Sequence, residues 1–289
     1  MLSADSYLEF GGSILHSTVF LERRLRLHMV RRDRLVFDTT FATPAKGPNA
    51  VAHLFAQLSG TFVIAGRPPL VGPCAFILDE TEFDRVMPGA LTFRSFGARC
   101  TIVEARLPLG DLQRPVGLVH GPLALDDEVW AAYHALEASP GEAAVHNLIH
   151  ALDTAGIVSR RLSSSVVANE PERFQRLWAA MRPLYQRTSI SASLKQIAQL
   201  TDLSLRQLGR DFGDLTHTFG LFGAGFRDAM RMLRLRAAVL LLSAPDGTPS
   251  DVARVIGYGS LDAMGRAFRD AHLPAPSVVQ AAVRFRDPV

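Results

Sequence analysis

Two stretches place polar donors on one face of a short helix. Leu194–Phe212 reads LKQIAQLTDLSLRQLGRDF, and about 55 residues later Pro249–Phe268 reads PSDVARVIGYGSLDAMGRAF. In the first, Leu208 and Phe212 stand i, i+4 and face inward, so Arg206, Gln207 and Arg210 share the outer side. Ser204 before them is a good N-cap. An arginine can donate twice to guanine O6 and N7, and a glutamine can pair with adenine N6 and N7. This is the chemistry of reading base edges rather than of making bonds. In the second stretch Met264, Ala267 and Phe268 face inward, and Ser260, Leu261 and Asp262 open the outer face. That leaves Arg266 as the strong donor. The spacing predicts that the first copy carries most direct readout and that the second adds phosphate contacts and shape.

Donors so placed need a frame. Each stretch is a helix, a tight turn and a second helix, the outline of a helix-turn-helix. In the first copy Leu194, Ile197 and Ala198 face inward and Thr201-Asp202-Leu203 makes the turn. A preceding helix over Glu172–Arg187 carries Phe174, Leu177, Trp178, Met181 and Leu184 at helical spacing. Between the copies lie a glycine-rich stretch, His217–Gly225, and a long helix, Phe226–Leu242. Phe226, Met230, Leu233, Ala237 and Leu241 mark one face of it. Arg227, Arg231 and Arg234 project elsewhere, toward phosphate. Pro274-Ala275-Pro276-Ser277 starts a last helix ending near Phe285.

Charge follows the same division. Residues 172–289 hold sixteen Lys and Arg against ten Asp and Glu, net +6, whereas residues 1–171 hold fifteen against eighteen, net −3. A basic half suits a polyanion.

Residues 1–125 read as strands: Leu25–Val30, Arg34–Phe41, His53–Leu58, Thr61–Ala65, Cys74–Leu78, Leu91–Phe96 and Cys100–Leu107, with turns at 42–49, Ser59-Gly60, Gly66–Pro69, Pro88-Gly89 and Gly97-Ala98. Ser59-Gly60 between apolar runs suggests a hairpin. Many short strands imply a barrel or jelly roll. Metal chemistry in such a barrel needs clustered ligands. His16, His28, His53 and His120 are scattered, and FILDETE offers only Asp79, Glu80 and Glu82, which suit a solvated turn. No cofactor, metal or catalytic constellation is expected.

Asp126-Asp127-Glu128 opens a helix pair: Trp130, Tyr133 and Leu136, then, past Ser139-Pro140-Gly141, Val145, Leu148, Ile149 and Leu152. One stripe is expected to cover the barrel and the other to meet its twin in a homodimer. His146 and His150 share a face at the spacing of a two-histidine metal site, but Asn147 stands where a zincin motif has Glu; surface or interface histidines are the expectation. Ser159–Pro171 reads as a linker. No apolar run nears the ~20 residues that span a bilayer, no leader pattern is present, and Cys74 and Cys100 are expected as reduced thiols of a cytoplasmic protein.

The segment from about 175 to 286 resembles the DNA-binding domain of the AraC/XylS family of bacterial transcription regulators. The likeness is carried by Arg234-Leu235, Ala238, Leu241-Leu242, Val252-Ala253, Gly257-Tyr258, Arg266-Ala267-Phe268-Arg269 and Pro276-Ser277. It departs at Asp202, where the family usually has Gly, at Leu273, where Gly is common, and at Val279, where an aromatic is common. Residues 1–158 are similar, more weakly, to the family's cupin-like sensor. The resemblance implies an α+β chain of two domains: a β-barrel or jelly-roll sensor with a helix pair (1–158, helices about 126–158), a linker (159–171) and an all-α domain with two helix-turn-helices joined by a long helix (172–289). It implies a transcription regulator with double-stranded DNA, a small-molecule effector and, for an activator, RNA polymerase as partners, associated with the nucleoid when bound. The competing readings are a cupin-type enzyme and a helix-turn-helix interaction protein that no longer binds DNA.

Overall fold

Strand formation starts at the N-terminus. Leu2–Phe10 (β1) and Ser13–Glu22 (β2) form a hairpin whose turn residues, Gly11 and Gly12, both take positive φ (53° and 74°). In the computed structural model, which describes residues 1–42, 51–79, 82, 91–165, 170–219, 221 and 225–285, this hairpin continues into Leu25–Asp33 (β3). β3 pairs with the long Phe93–Pro108 (β8), which pairs with the long Val51–Ile64 (β5). The antiparallel order is β1-β2-β3-β8-β5-β6, with Leu70–Val71 (β6) on β5, Phe37–Asp38 (β4) on β8 and Cys74–Asp79 (β7) on β5.

Two expected turns are absent. Ser59-Gly60 and Gly97-Ala98 lie inside continuous strands, where the β5–β8 register shifts between Gln57 and Ser59 and again between Ser59 and Thr61. A bulge bends a strand without ending it, so a glycine there imitates a turn in the sequence. Arg34–Phe41 is likewise not one strand. Only Phe37–Asp38 pairs; Asp38 then accepts from the Thr40 N–H at 2.8 Å and starts a single 3₁₀ turn. The expected turns at 43–49 and Pro88-Gly89, Glu80, the Asp79 side chain and glycines 220 and 223 fall outside what is described.

Asp127–Ala138 (α1) and Glu142–Thr154 (α2) form as expected, with the Asp126 carboxylate capping the Val129 N–H at 2.9 Å. Both stripes turn inward. Val129, Tyr133, Leu136, Val145, Leu148, Ile149 and Leu152 join Leu25, Leu27, Leu54 and Val103 of the sheet in one cluster. The expectation that one stripe meets a second subunit is therefore corrected: the sheet consumes both, since each buried aliphatic gains about 1.5–3 kcal/mol there. The expected linker contains a short helix, Arg160–Ser163 (α3).

The remainder is helical: Glu172–Gln186 (α4), Leu194–Thr201 (α5), Leu205–Phe219 (α6), Phe226–Leu241 (α7), Pro249–Ile256 (α8), Leu261–Asp270 (α9) and Pro276–Val283 (α10). α6 extends through His217, past the expected start of the loop. On α7 the buried face is Phe226, Ala229, Met232, Leu235, Ala238 and Leu241. Met230, Leu233 and Ala237, expected inside, are only half-buried.

The sheet docks on both halves of this helical part. Trp178 Nε1 of α4 donates to the Ser3 carbonyl at 3.0 Å, and Arg24 N–H donates to the Thr218 carbonyl at 3.0 Å. On the other half, Val36 N–H donates to Ser243 Oγ at 2.8 Å and Asp246 N–H to the Gly11 carbonyl at 3.1 Å. Phe10 packs so tightly on Gly247 that an added Cβ would lie 2.3 Å from its ring.

Candidate nucleic-acid interface and interdomain cavity

The first helix-turn-helix is set by caps. Ser193 and Gln196 form a capping box on α5. The helix ends at Asp202 in the left-handed region (φ 53°, ψ 43°), and Leu203 N–H closes back on the Ala198 carbonyl at 3.0 Å. Ser204 Oγ then accepts from the Gln207 N–H at 3.1 Å and starts α6. Leu208, Phe212 and Leu215 bury against Ile197, Ala198 and the α4 stripe. Arg206 and Arg210 are exposed. Arg206 has no partner among the described residues, and Arg210 donates to Gln207 Oε1. Gln207 also donates to Asp211 Oδ1 at 2.7 Å, so it is held along the helix by its neighbours.

The second copy repeats the frame. Thr248 and Asp251 box the start of α8 with Pro249 at its first turn. Gly257 ends it at φ 86°, and a Cβ there would lie 2.8 Å from the Ser189 Cα and carbonyl oxygen. Glycine is thus required twice, by backbone conformation and by space. Ser260 caps α9 through the Ala263 N–H at 3.1 Å. Met264 and Phe268 are fully buried; Leu261, Asp262, Arg266 and Arg269 are exposed. A groove of about 540 Å³ runs along this outer face, bordered by Arg266, Arg269, Pro249 and Ser277.

The α7 arginines divide. Arg231 is exposed and pairs with Asp228 at 3.0 Å. Arg234 turns back, its Nε donating to the Thr188 carbonyl and Nη2 to the Ile190 carbonyl, both at 3.1 Å. It braces the approach to α5 instead of standing free for phosphate.

Where the sheet meets α4, α7 and α8 there is a cavity of about 460 Å³. Leu233, Ala237 and Leu240 of α7 roof it, and strand residues such as Val19, Val30 and Phe55 floor it. Its polar end is a buried cluster. Glu104 takes Arg26 Nη2 at 2.8 Å and His53 Nδ1 at 2.7 Å, with His28 Nδ1 3.7 Å away. His28 Nε2 lies 2.6 Å from Ser17 Oγ. Burial pushes the Glu104 carboxyl up, but Arg26 and the two histidines outweigh it and hold it well below the usual carboxylate range. Burial pulls His28 and His53 down against the opposing pull of Glu104, keeping both rings neutral near pH 7.

Arg32 also lines this cavity and is 2% exposed. Its partners are Ser95 Oγ at 2.8 Å, the Ser95 carbonyl at 3.3 Å and Cys100 Sγ at 3.3 Å, all neutral. Asp38, the other acid at the cavity, belongs to Arg94 at 2.5 Å. Arg26, Arg32 and Arg236 line the space, and Glu104 is paired with Arg26 and His53; Arg32 has neutral partners. A buried charge without a counter-charge is costly, so the cavity favours an incoming anion.

No known family profile matches the chain, and no curated protein matches it. Among solved structures it is similar to ToxT from Vibrio cholerae, at 9% identity and a TM-score of 0.39, over 90% of this chain and 99% of that one. It is similar to the AraC-like transcriptional activator CuxR at 14% identity and 0.36, over 78% and 80% of the two chains. The C-terminal domain of AraT, a response regulator from Geobacillus stearothermophilus, is similar at 15% and 0.33, over 43% of this chain and 94% of that one. At such values the function is read from this chain's own residues.

Among the other residues singled out in the sequence, His146 turns to Glu22 Oε1 at 3.1 Å while His150 points to solvent. Glu82 Oε1 accepts from the Leu118 N–H at 2.7 Å. The sequence reading took His28 and His53 as scattered and missed their grouping with Arg26, Arg32 and Glu104, because these residues lie on three different strands and nothing local links them.

Proposed function

We propose that the chain is a sequence-specific DNA-binding transcription regulator of the AraC/XylS type, with residues 172–289 on DNA and residues 1–158 as sensor. One observation carries the reading: two capped helix-turn-helices, each presenting an exposed arginine-bearing second helix, stand in the basic half of the chain. Arg206 and Arg210 lead direct readout, Arg266 and Arg231 add contacts, and the Ser204 and Ser260 ends face the backbone. RNA polymerase is a further partner if the regulator activates.

The effector binds in the interdomain cavity. Its walls are apolar and arginines line it, which suits a small amphipathic anion whose head meets Arg32. A ligand there touches both the sheet and α7, the helix joining the two DNA-binding units, so binding biases their arrangement. A homodimer reading two half-sites remains part of the proposal. It must use the polar outer faces of α1 and α2 or another surface.

A gel-shift titration against the upstream region of the protein's own gene tests the function. Arg206→Ala and Arg210→Ala should each weaken specific binding by about 1–3 kcal/mol, and affinity should fall steeply with salt. Unchanged binding in both variants would sink the assignment of α6, and a flat salt response would sink phosphate contact.

A further inference from the structure

Aligned on their capping serines, α6 and α9 repeat a nine-residue pattern. Ser204-Leu205-Arg206-Gln207-Leu208-Gly209-Arg210-Asp211-Phe212 matches Ser260-Leu261-Asp262-Ala263-Met264-Gly265-Arg266-Ala267-Phe268. Part of this is demanded by the fold. Leu208 and Met264, and Phe212 and Phe268, are buried at equivalent places. The rest is not. Leu205 and Leu261 are 53% and 40% exposed at the first helical position. Arg210 and Arg266 are exposed. A Cβ on Gly209 or Gly265 would meet nothing within 4 Å.

The outward leucines and glycines do not stabilise their own helices, and Arg210 makes an exposed bond to Gln207 one turn back. An exposed leucine gains no burial, and a glycine inside a helix is less stable than alanine unless something needs the space. Here nothing inside the protein needs it. Yet leucine, glycine and arginine recur at the same positions on the outer arc of both helices. Between them the copies diverge: Arg206-Gln207 in one, Asp262-Ala263 in the other.

We infer that α6 and α9 read the same base core twice. Leu205 and Leu261 cover a thymine methyl, Arg210 and Arg266 pair with a guanine, and Gly209 and Gly265 let each helix backbone come close to the groove. The divergent pairs tell the two sites apart. Arg206-Gln207 favours purines beside its core, whereas Asp262 accepts from a cytosine amino group. The inference rests on the DNA-binding reading and specifies its operator: two copies of one thymine–guanine core with different flanks.

Selection of duplexes from a random library by the full-length chain tests it. The expected result is a core recurring at about one helical turn or a multiple of it. Specific, salt-dependent binding to sites without a recurring core overturns the inference and leaves the DNA-binding reading standing. Failure to select any site overturns both. Three variants sharpen the test. Gly209→Ala and Gly265→Ala should each raise Tm by about 2–4 °C while weakening operator binding about tenfold or more; unchanged affinity in both overturns the role of close approach. The double variant Arg206→Asp with Gln207→Ala should shift preference to a probe carrying two copies of the α9 half-site. Loss of preference for the shared core in that variant overturns the reading.

Discussion

Arg234 Nε donates to the Thr188 carbonyl at 3.1 Å, tying the middle of α7 to the segment that leads into α5. The same guanidinium reaches the Ile190 carbonyl. These charge-assisted bonds fix the first helix-turn-helix against the helix that joins it to the second. Arg231, one turn earlier on α7, is exposed and pairs with the half-buried Asp228.

Arg234→Ala should therefore lower stability by about 1–3 kcal/mol and leave the slope of log affinity against log salt unchanged. Arg231→Ala should do the reverse, with little change in Tm and a slope smaller by about one phosphate contact. Urea denaturation and salt titrations of both variants check this. An altered salt slope in Arg234→Ala at unchanged stability would restore Arg234 as a phosphate contact.

The two turns differ in the same informative way. Asp202 and Gly257 occupy equivalent left-handed positions, with φ 53° and 86°. Asp202 tolerates that region at a cost, so Asp202→Gly should be neutral or stabilising by up to about 1 kcal/mol. Gly257→Ala meets both the backbone penalty and the Ser189 main chain at 2.8 Å, and should destabilise by about 1–3 kcal/mol. Thermal melts of both variants decide it, and equal effects would mean the two turns are not equivalent.

What was legible in the sequence follows from what is local. The cap at Ser204 and the i, i+4 pairs Leu208–Phe212 and Met264–Phe268 act within one or two turns, so both helix-turn-helices could be read directly. The sheet was less legible, because Gly60 at a bulge and a glycine at a turn look alike. α7 carries two apolar stripes. Leu233 and Ala237, which seemed to mark its core face, roof the cavity, while Ala229, Met232, Leu235 and Ala238 fill the core. Periodicity alone cannot choose between two stripes on one helix. The docking of Phe10 and Gly11 on 246–247 depends on contacts more than 230 residues apart and has no local signature.

The Glu104 cluster makes stability depend on pH. His28 and His53 have folded values below the usual imidazole value of about 6.5, so the unfolded chain binds protons first as pH falls. Their contribution is complete above about pH 6.5 and is lost as pH drops through the folded values. Glu104 acts in the same direction at lower pH, from about 4.3 downward. Tm should decline from pH 7 to pH 5, and replacing both histidines with glutamine should flatten that limb. Glu104→Gln should cost about 3–5 kcal/mol at pH 7 by leaving Arg26 buried without its counter-charge. A Tm independent of pH between 7 and 5 in the parent chain would contradict this account.

Arg32 provides the sharpest separation of stability from sensing. Its guanidinium is buried among neutral partners, so Arg32→Met should leave the ligand-free protein as stable as before, or more stable, since replacing a buried charge by an apolar side chain of similar length is often neutral or favourable. The same variant should lose the response to an amphipathic anion. With decanoate as the probe, the parent chain should gain about 2.7 kcal/mol of stability at a hundred times Kd, read as a rise in Tm, and decanol should give little. Arg32→Met should show no difference between the two probes. If the variant is strongly destabilised without ligand, Arg32 is a structural strut and the head of the effector belongs elsewhere in the cavity. If it keeps the preference for decanoate, Arg26 or Arg236 holds the anion instead.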